Sequence, residues 1–212
     1  GKSIRDPKEW GEVLTMDHIS MVDRFGHAGI GGGRSLLTVY DLATQSRYCE
    51  PVESKDAPDV FRVLQYIIGT EDHHRLKLLY SDGYPSFTKA CADLKLMWQA
   101  SPPGIKQSNG QIERQNGIVE DGIRSSLMEA GLPATFWSYA APCWCHLANI
   151  SVTMKVESAW YQRHGDWSKG HPVPFGAGVY FLPANTINVP GKASPKMTYG
   201  LFIGYQLTPG AK

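Results

Sequence analysis

The sequence holds no apolar run approaching the roughly 18 to 20 residues that cross a bilayer as a helix. No basic-then-apolar leader opens it either, so no membrane partner is expected. Charge of either sign is not in excess. Lys and Arg number 21 against 20 Asp and Glu, a net charge of +1, which argues against a broad basic face and leaves room for a small, local nucleic-acid contact. Cysteine is sparse and shows no CxxC pair or zinc-ribbon spacing among Cys49, Cys91, Cys143 and Cys145. Cys143-Trp144-Cys145-His146 looks like a metal cluster, but helical residues two apart diverge, so these read as buried thiols in a reducing compartment. No zinc is expected in this fragment. The glycines at Gly29, Gly31, Gly32 and Gly33 run into Arg34-Ser35, not the Lys-Ser/Thr of a phosphate loop, and read as a hairpin turn.

What remains is an ordinary globular composition, 42% hydrophobic and 19% charged over 212 residues, enough to bury a full core. The chain opens at Gly1-Lys2-Ser3 without an initiator methionine and is expected to be a piece of a longer protein. Residues 1–10 read as a lead-in and 11–157 as an α/β core. Residues 158–172 read as a linker and 173–210 as a small β-rich module with Val179-Tyr180-Phe181 and Leu201-Phe202-Ile203. Within the core, strands are expected over Glu12–Met21, Leu36–Tyr40 and Ser46–Val52, giving an antiparallel meander. Val60, Val63, Leu64, Ile67 and Ile68 carry helical spacing between a cap at Asp56 or Ser54 and a stop at Gly69. A buried strand over Arg75–Ser81, a short helix near Ser86–Leu94 and a strand at Leu96–Gln99 follow. A long helix runs from about Asn109 to Ala130 on an apolar stripe of Ile112, Val119, Ile123 and Leu127. A second apolar helix over Pro133–Ile150 is expected to kink at Pro142.

Three acidic residues stand out in this frame. Asp17 interrupts the first strand, Asp82 ends the fourth, and Glu113 lies on the opening turns of the long helix, off its apolar stripe. Any one alone could be a cap or turn residue. Carboxylates delivered by two strands and a helix are what a pair of hard divalent cations requires, and two such ions can activate a nucleophile and stabilise a leaving oxygen at phosphorus.

The segment Ser108-Asn109-Gly110-Gln111-Ile112-Glu113-Arg114-Gln115-Asn116 resembles the Asn-Gly-x-x-Glu-Arg-x-Asn signature of retroviral-type integrases, especially those of copia-type retrotransposons. Trp10 to Asp17, Ala130-Gly131-Leu132-Pro133 with Phe136-Trp137, Pro174-Phe175-Gly176 and Gly200 to Tyr205 are similar to neighbouring parts of that family. The resemblance implies a ribonuclease H-like fold: a mixed five-stranded sheet flanked by helices, with the β-rich module appended. It implies that Asp17, Asp82 and Glu113 are catalytic and hold two Mg2+ ions, with Mn2+ as a substitute. The activity implied is that of a polynucleotidyl transferase with endonuclease activity, which trims the DNA ends of a retroelement and joins the 3′-hydroxyl to target DNA. Lys106, Asn109, Arg114, Asn116 and Arg124 become expected contacts to double-stranded DNA. Homo-oligomers and a nuclear site of action, after a cytoplasmic particle stage, belong to the same expectation.

The match also breaks in places. The family's Asn-Gly-x-Glu-Phe after the second aspartate is here Gly83-Tyr84-Pro85-Ser86-Phe87, with Tyr84 at a glycine position. The helix after Asp82 is shorter by about a turn and a half. Gly117 stands where copia-type enzymes place a basic residue, and a His-His-Cys-Cys module, if present, would lie upstream of Gly1. These departures support an alternative, a decayed or domesticated integrase-like fold that binds nucleic acid or protein without catalysis. A ribonuclease H acting on hybrids shares the fold but not the signature around Glu113.

Overall fold

The computed structural model describes residues 6–22, 25–101, 106–152, 157–184 and 194–210, with the backbone alone for 106–109. Strands β1 (Leu14–Ser20), β2 (Ser35–Asp41) and β3 (Arg47–Val52) are followed by helix α1 (Ala57–Ile68) and strand β4 (Leu79–Ser81). Helix α2 (Pro85–Asp93), strand β5 (Trp98–Ala100), α3 (Lys106–Ala130) and α4 (Trp137–Ile150) complete the core. Helix α5 (Ala159–His164) and strands β6 (Gly178–Phe181) and β7 (Thr198–Leu201) come last. The main sheet has the order β3-β2-β1-β4-β5, antiparallel through β1–β2–β3 and parallel from β1 through β4 to β5. This is the mixed five-stranded sheet expected from the sequence.

Strand alternation divides the core in two. Leu14 and Met16 of β1 and Leu37 and Val39 of β2 meet Val60, Val63, Leu64 and Ile67 of α1 and Phe87 of α2. Ile19 and Leu36, on the opposite face, meet Val119 and Ile123 of α3 and Trp137 and Ala140 of α4. Strand β2 is buried at all seven positions, so it sits inside the sheet with a helix layer on each side. The stripe foreseen on α3 is the one that packs. Gly122 explains how closely α4 approaches: a Cβ there would lie 2.1 Å from the Trp144 ring.

Several boundaries differ from expectation. Strand β4 is only three residues long, and His73–Arg75 form a 3₁₀ turn ahead of it. Helix α3 begins at Lys106, ahead of Asn109. Helix α4 continues through Pro142, preceded by a 3₁₀ turn over Ala134–Phe136. Asp56 takes the position before α1 but makes no capping bond with its side chain; Asp59 instead accepts from the Ser54 N–H and hydroxyl. All four cysteines are buried and free, and the Sγ atoms of Cys49 and Cys145 are 3.1 Å apart.

The stretch 158–172, expected to be a linker, carries α5, and α5 is anchored in the core. The Arg163 side chain is fully buried, stacks 4.0 Å over the Trp10 ring, and donates to the Ile67 carbonyl and to Asp72 Oδ2. The small β6–β7 sheet is present downstream, largely exposed, while Phe175 before it and Phe202 and Tyr205 after it pack on the α3–α4 side. Burial alone would raise the Asp72 carboxyl, but the Arg75 hydrogen bond and the Arg163 charge hold it below its ordinary value. The stability this contributes is present above about pH 4, the ordinary aspartate range, and is lost as pH falls through the lowered folded value. Arg163→Ala leaves Asp72 with Arg75 as its guanidinium partner but removes the buried Arg163 charge and its packing on Trp10, and is expected to cost about 3 kcal/mol. A lowered urea midpoint at unchanged slope checks it.

Candidate metal and nucleic-acid site

Parallel pairing of β1 with β4 brings the first two acids together. Leu14 and Thr15 lie opposite Leu79 and Tyr80, so Asp17 and the end of β4 share one end of the sheet, and Asp82 is the next residue of the chain there. Burial pushes the Asp17 carboxyl up, and the field of Asp82 pushes it further. Hydrogen bonds and Lys55, whose ammonium donates to Ser20 Oγ at 3.2 Å, oppose that rise. Asp17 Oδ1 accepts from the His18 N–H at 2.7 Å, and Oδ2 accepts from Asn116 Nδ2 at 2.9 Å. The Asp82 backbone is tied in from the other side: Trp98 Nε1 donates to Ser81 Oγ, which donates to the Asp82 carbonyl.

Glu113 is exposed on α3, one turn before Asn116 and on the same side of the helix. No group of three acidic, histidine or cysteine side chains close enough to hold a metal occurs among the described residues. The structure therefore joins Asp17 with Asp82, joins Asn116 to Asp17, and leaves Glu113 outside that cluster. Two carboxylates at one end of the sheet, with burial and the field of Asp82 raising the half-buried Asp17, fit a hard divalent cation, which would relieve their repulsion.

Asn116, expected as a DNA contact, is 9% exposed and turned inward, because its amide bonds both Asp17 and Thr38. Arg114 is exposed. Arg124 lies about 15 Å further along α3 and pairs with Asp121 at 2.7 Å and Glu120 at 3.5 Å, so its charge is engaged locally. The side chains of Lys106 and Asn109 lie outside the described residues. Tyr84, which stands at a glycine position of the integrase pattern, has φ −66° and ψ 128°, an ordinary extended backbone that makes no demand for glycine.

No family model matches the chain. It is 28% identical over 188 residues to the retrovirus-related Pol polyprotein from transposon TNT 1-94 of Nicotiana tabacum, covering 83% of this chain and 14% of that protein. It is 27% identical over 188 residues to the retrovirus-related Pol polyprotein from transposon RE2 of Arabidopsis thaliana, covering 84% of this chain. The chain thus spans only 14% and 13% of the length of these curated relatives. The HTLV-2 integrase catalytic core domain, solved with magnesium as a dimer, superposes with a TM-score of 0.54 at 13% identity, covering 76% of this chain and 99% of that one. This chain has the fold of a retroviral-type integrase catalytic core. A chain of the simian T-cell lymphotropic virus intasome in complex with PP2A regulatory subunit B56 gamma gives a TM-score of 0.60 at 16% identity, covering 98% of this chain and 73% of that one.

In this integrase-like core, sequence reasoning missed Thr38 and Lys55. Thr38 reads as one more β-former in Leu36-Leu37-Thr38-Val39-Tyr40, and only the strand register sets it opposite Asp17. Lys55 precedes α1 in sequence, and only the fold sets its charge near Asp17. His18 faces the other side of the sheet, stacked 5.0 Å from the Phe87 ring, where burial lowers its pKa to about 4. Asp82→Asn removes one of the two influences that raise Asp17. The Asp17 carboxyl is expected to titrate at lower pH in that variant, followed by carboxyl 13C NMR. An unchanged titration would mean that the two carboxylates do not share a field.

Proposed function

We propose that this chain is the catalytic core of a copia-like retrotransposon integrase, a metal-dependent polynucleotidyl transferase acting on double-stranded DNA. The observation that carries the proposal is the placing of Asp17 on β1 beside Asp82 at the end of the parallel strand β4, with Asn116 of the signature helix bonded to Asp17. Asp17 and Asp82 would hold Mg2+, or Mn2+ in its place, and Glu113 would join them from α3. The chemistry such ions would supply there is a water or 3′-hydroxyl made nucleophilic at neutral pH and relief of charge on the phosphate. Asn116 and the His18 N–H fix the Asp17 carboxylate, Ser81 and Trp98 fix the backbone at Asp82, and Arg114 stands exposed beside Glu113 for a phosphate contact. No protein nucleophile is required. The HTLV-2 core that shares this fold was solved with magnesium in dimeric and trimeric forms, which supports a metal and an oligomer here. Action on nuclear DNA belongs to the same proposal.

A second reading is a relic that keeps the fold without the chemistry. Glu113 outside the acid cluster and Arg124 engaged with two acids favour it. Disintegration of a preformed branched DNA with Mn2+ divides the two, because the junction is already assembled. Strand rejoining is expected, and it is expected to fall at least about 100-fold in Glu113→Gln and in Asp17→Asn, since even groups that merely orient a metal ligand are worth 10- to 100-fold. A folded chain that neither binds Mn2+ nor rejoins strands would favour the relic.

Gly117 lies on the exposed side of α3, with nothing within 4 Å of an added Cβ. Gly117→Lys is expected to stabilise the chain by roughly 0.5–1 kcal/mol through helix propensity. It is also expected to tighten binding to duplex DNA and steepen the salt dependence by about one counterion. Urea unfolding and fluorescence anisotropy at several salt concentrations read the two effects separately.

A further inference from the structure

Thr38 faces Asp17 directly across the β1–β2 ladder and is 3% exposed. Its hydroxyl donates to Asn116 Oδ1 at 2.7 Å and lies 3.1 Å from the Asp17 carbonyl oxygen. A hydroxyl has one proton, and the shorter contact is the one to Asn116. The amide of Asn116 then has one productive orientation. With Oδ1 toward Thr38, Nδ2 meets Asp17 Oδ2 at 2.9 Å. Turned over, the amide would set its oxygen against a carboxylate oxygen, and Thr38 would have to accept instead of donate.

We propose that Thr38 is a positioning residue of the metal site, acting through Asn116: its buried hydroxyl selects the amide orientation that holds the Asp17 carboxylate in one place beside Asp82. This rests on the metal-dependent reading above. Threonine suits the task on two grounds. As a β-branched residue it belongs in a central, fully buried strand, and its hydroxyl supplies the donor that valine in the same shape lacks. The motif-bearing helix α3 is thereby bound to the sheet by a polar contact at the site itself, while Ile112, Val119 and Ile123 bind it by packing. A tilt of α3 would break the relay before it broke the apolar contacts, because hydrogen bonds weaken steeply with angle.

The test uses the whole chain as wild type, Thr38→Val, Thr38→Ser, Asn116→Ala and the Thr38→Val/Asn116→Ala double variant. Two readouts are taken: hydrogen-exchange protection of the Asn116 side-chain NH2 by 15N NMR without metal, and Mn2+ affinity by electron paramagnetic resonance. Thr38→Val is expected to lose the Asn116 NH2 protection and to weaken Mn2+ binding about 10-fold, the lower end for groups that orient a metal ligand. Thr38→Ser, which keeps the hydroxyl, is expected to restore both. In the double variant, Thr38→Val should add nothing to the Mn2+ loss of Asn116→Ala, because Thr38 acts through that amide. Unchanged protection and affinity in Thr38→Val, or additive losses in the double variant, would overturn the proposal. If Thr38→Val does not fold, the serine and Asn116→Ala variants still decide: loss of protection in Thr38→Ser, or full Mn2+ affinity in Asn116→Ala, overturns it. Loss of protection in Thr38→Val with no Mn2+ bound by any chain would uphold the relay and overturn the metal reading alone.

Discussion

Strand β1 is held in register on both edges at once, antiparallel to β2 and parallel to β4, and the candidate site exists only in that register. The β2 side sets Asp17 opposite Thr38; the β4 side sets the end of the fourth strand, and so Asp82, beside it. Side chains alternate along a strand, so a one-residue slip would turn Asp17 toward Phe87 and α1, and turn Met16 toward α3. Such a slip would bury a carboxylate among Val60, Leu64 and Ile67. The apolar contacts that stabilise β1 are therefore the same ones that hold the acids in place. Stability and site geometry cannot be separated in this strand.

Electrostatics follow from that placement. Two carboxylates at one sheet end, one of them half-buried, make a local well of negative potential in a chain whose overall charge is near zero. Elsewhere the charges largely cancel in short-range pairs, such as Lys77 with Glu12 and Arg124 with Asp121 and Glu120. Exposed pairs of this kind contribute little to stability. For the proposed DNA contact their consequence would be larger, because a cation already paired to a neighbouring acid releases fewer counterions when it meets a phosphate. In the proposed DNA-binding role, a near-neutral core of this type depends on local geometry for its contact with a polyanion.

The sequence made the periodic elements legible. The α1 stripe, the α3 stripe and the three-strand meander each repeat a strong pattern over many residues, and each lies where it was expected. Asp17 and Asp82 were legible for a related reason, since an acid that breaks an apolar strand run is conspicuous. What the sequence concealed depends on contacts between distant residues. Arg163 falls in the stretch that read as a linker and is a buried tie to Asp72 and Trp10; only the tertiary path of α5 reveals its partners. Asn116 looked like a DNA contact because it sits in the signature segment, yet its burial against Thr38 depends on how α3 crosses the sheet. Thr38 carried no signal at all, since threonine in a β-run is unremarkable without the register.

The altered segment after Asp82 bears on whether this core can still work. Its departures from the integrase pattern fall on Gly83, Tyr84 and Ser86 and on the shortened α2, all beyond the end of β4. The Asp82 backbone is fixed from behind that point, through Ser81 and the Trp98 indole of β5, while from the loop its carboxylate accepts only a long bond from the Tyr84 N–H at 3.4 Å. Pro85 at the start of α2 sets the helix direction with a fixed φ and no N–H to satisfy, and Phe87, Ala90 and Cys91 seal α2 onto the core. Tyr84 is half exposed and its backbone is ordinary, so the residue that most departs from the pattern imposes no strain on the acid two places before it. The shortening therefore removes surface, not support. By this argument the place to look for lost function is α3, where Glu113 stands clear of the two strand acids and must be carried to them by the same helix that Thr38 and Asn116 hold to the sheet.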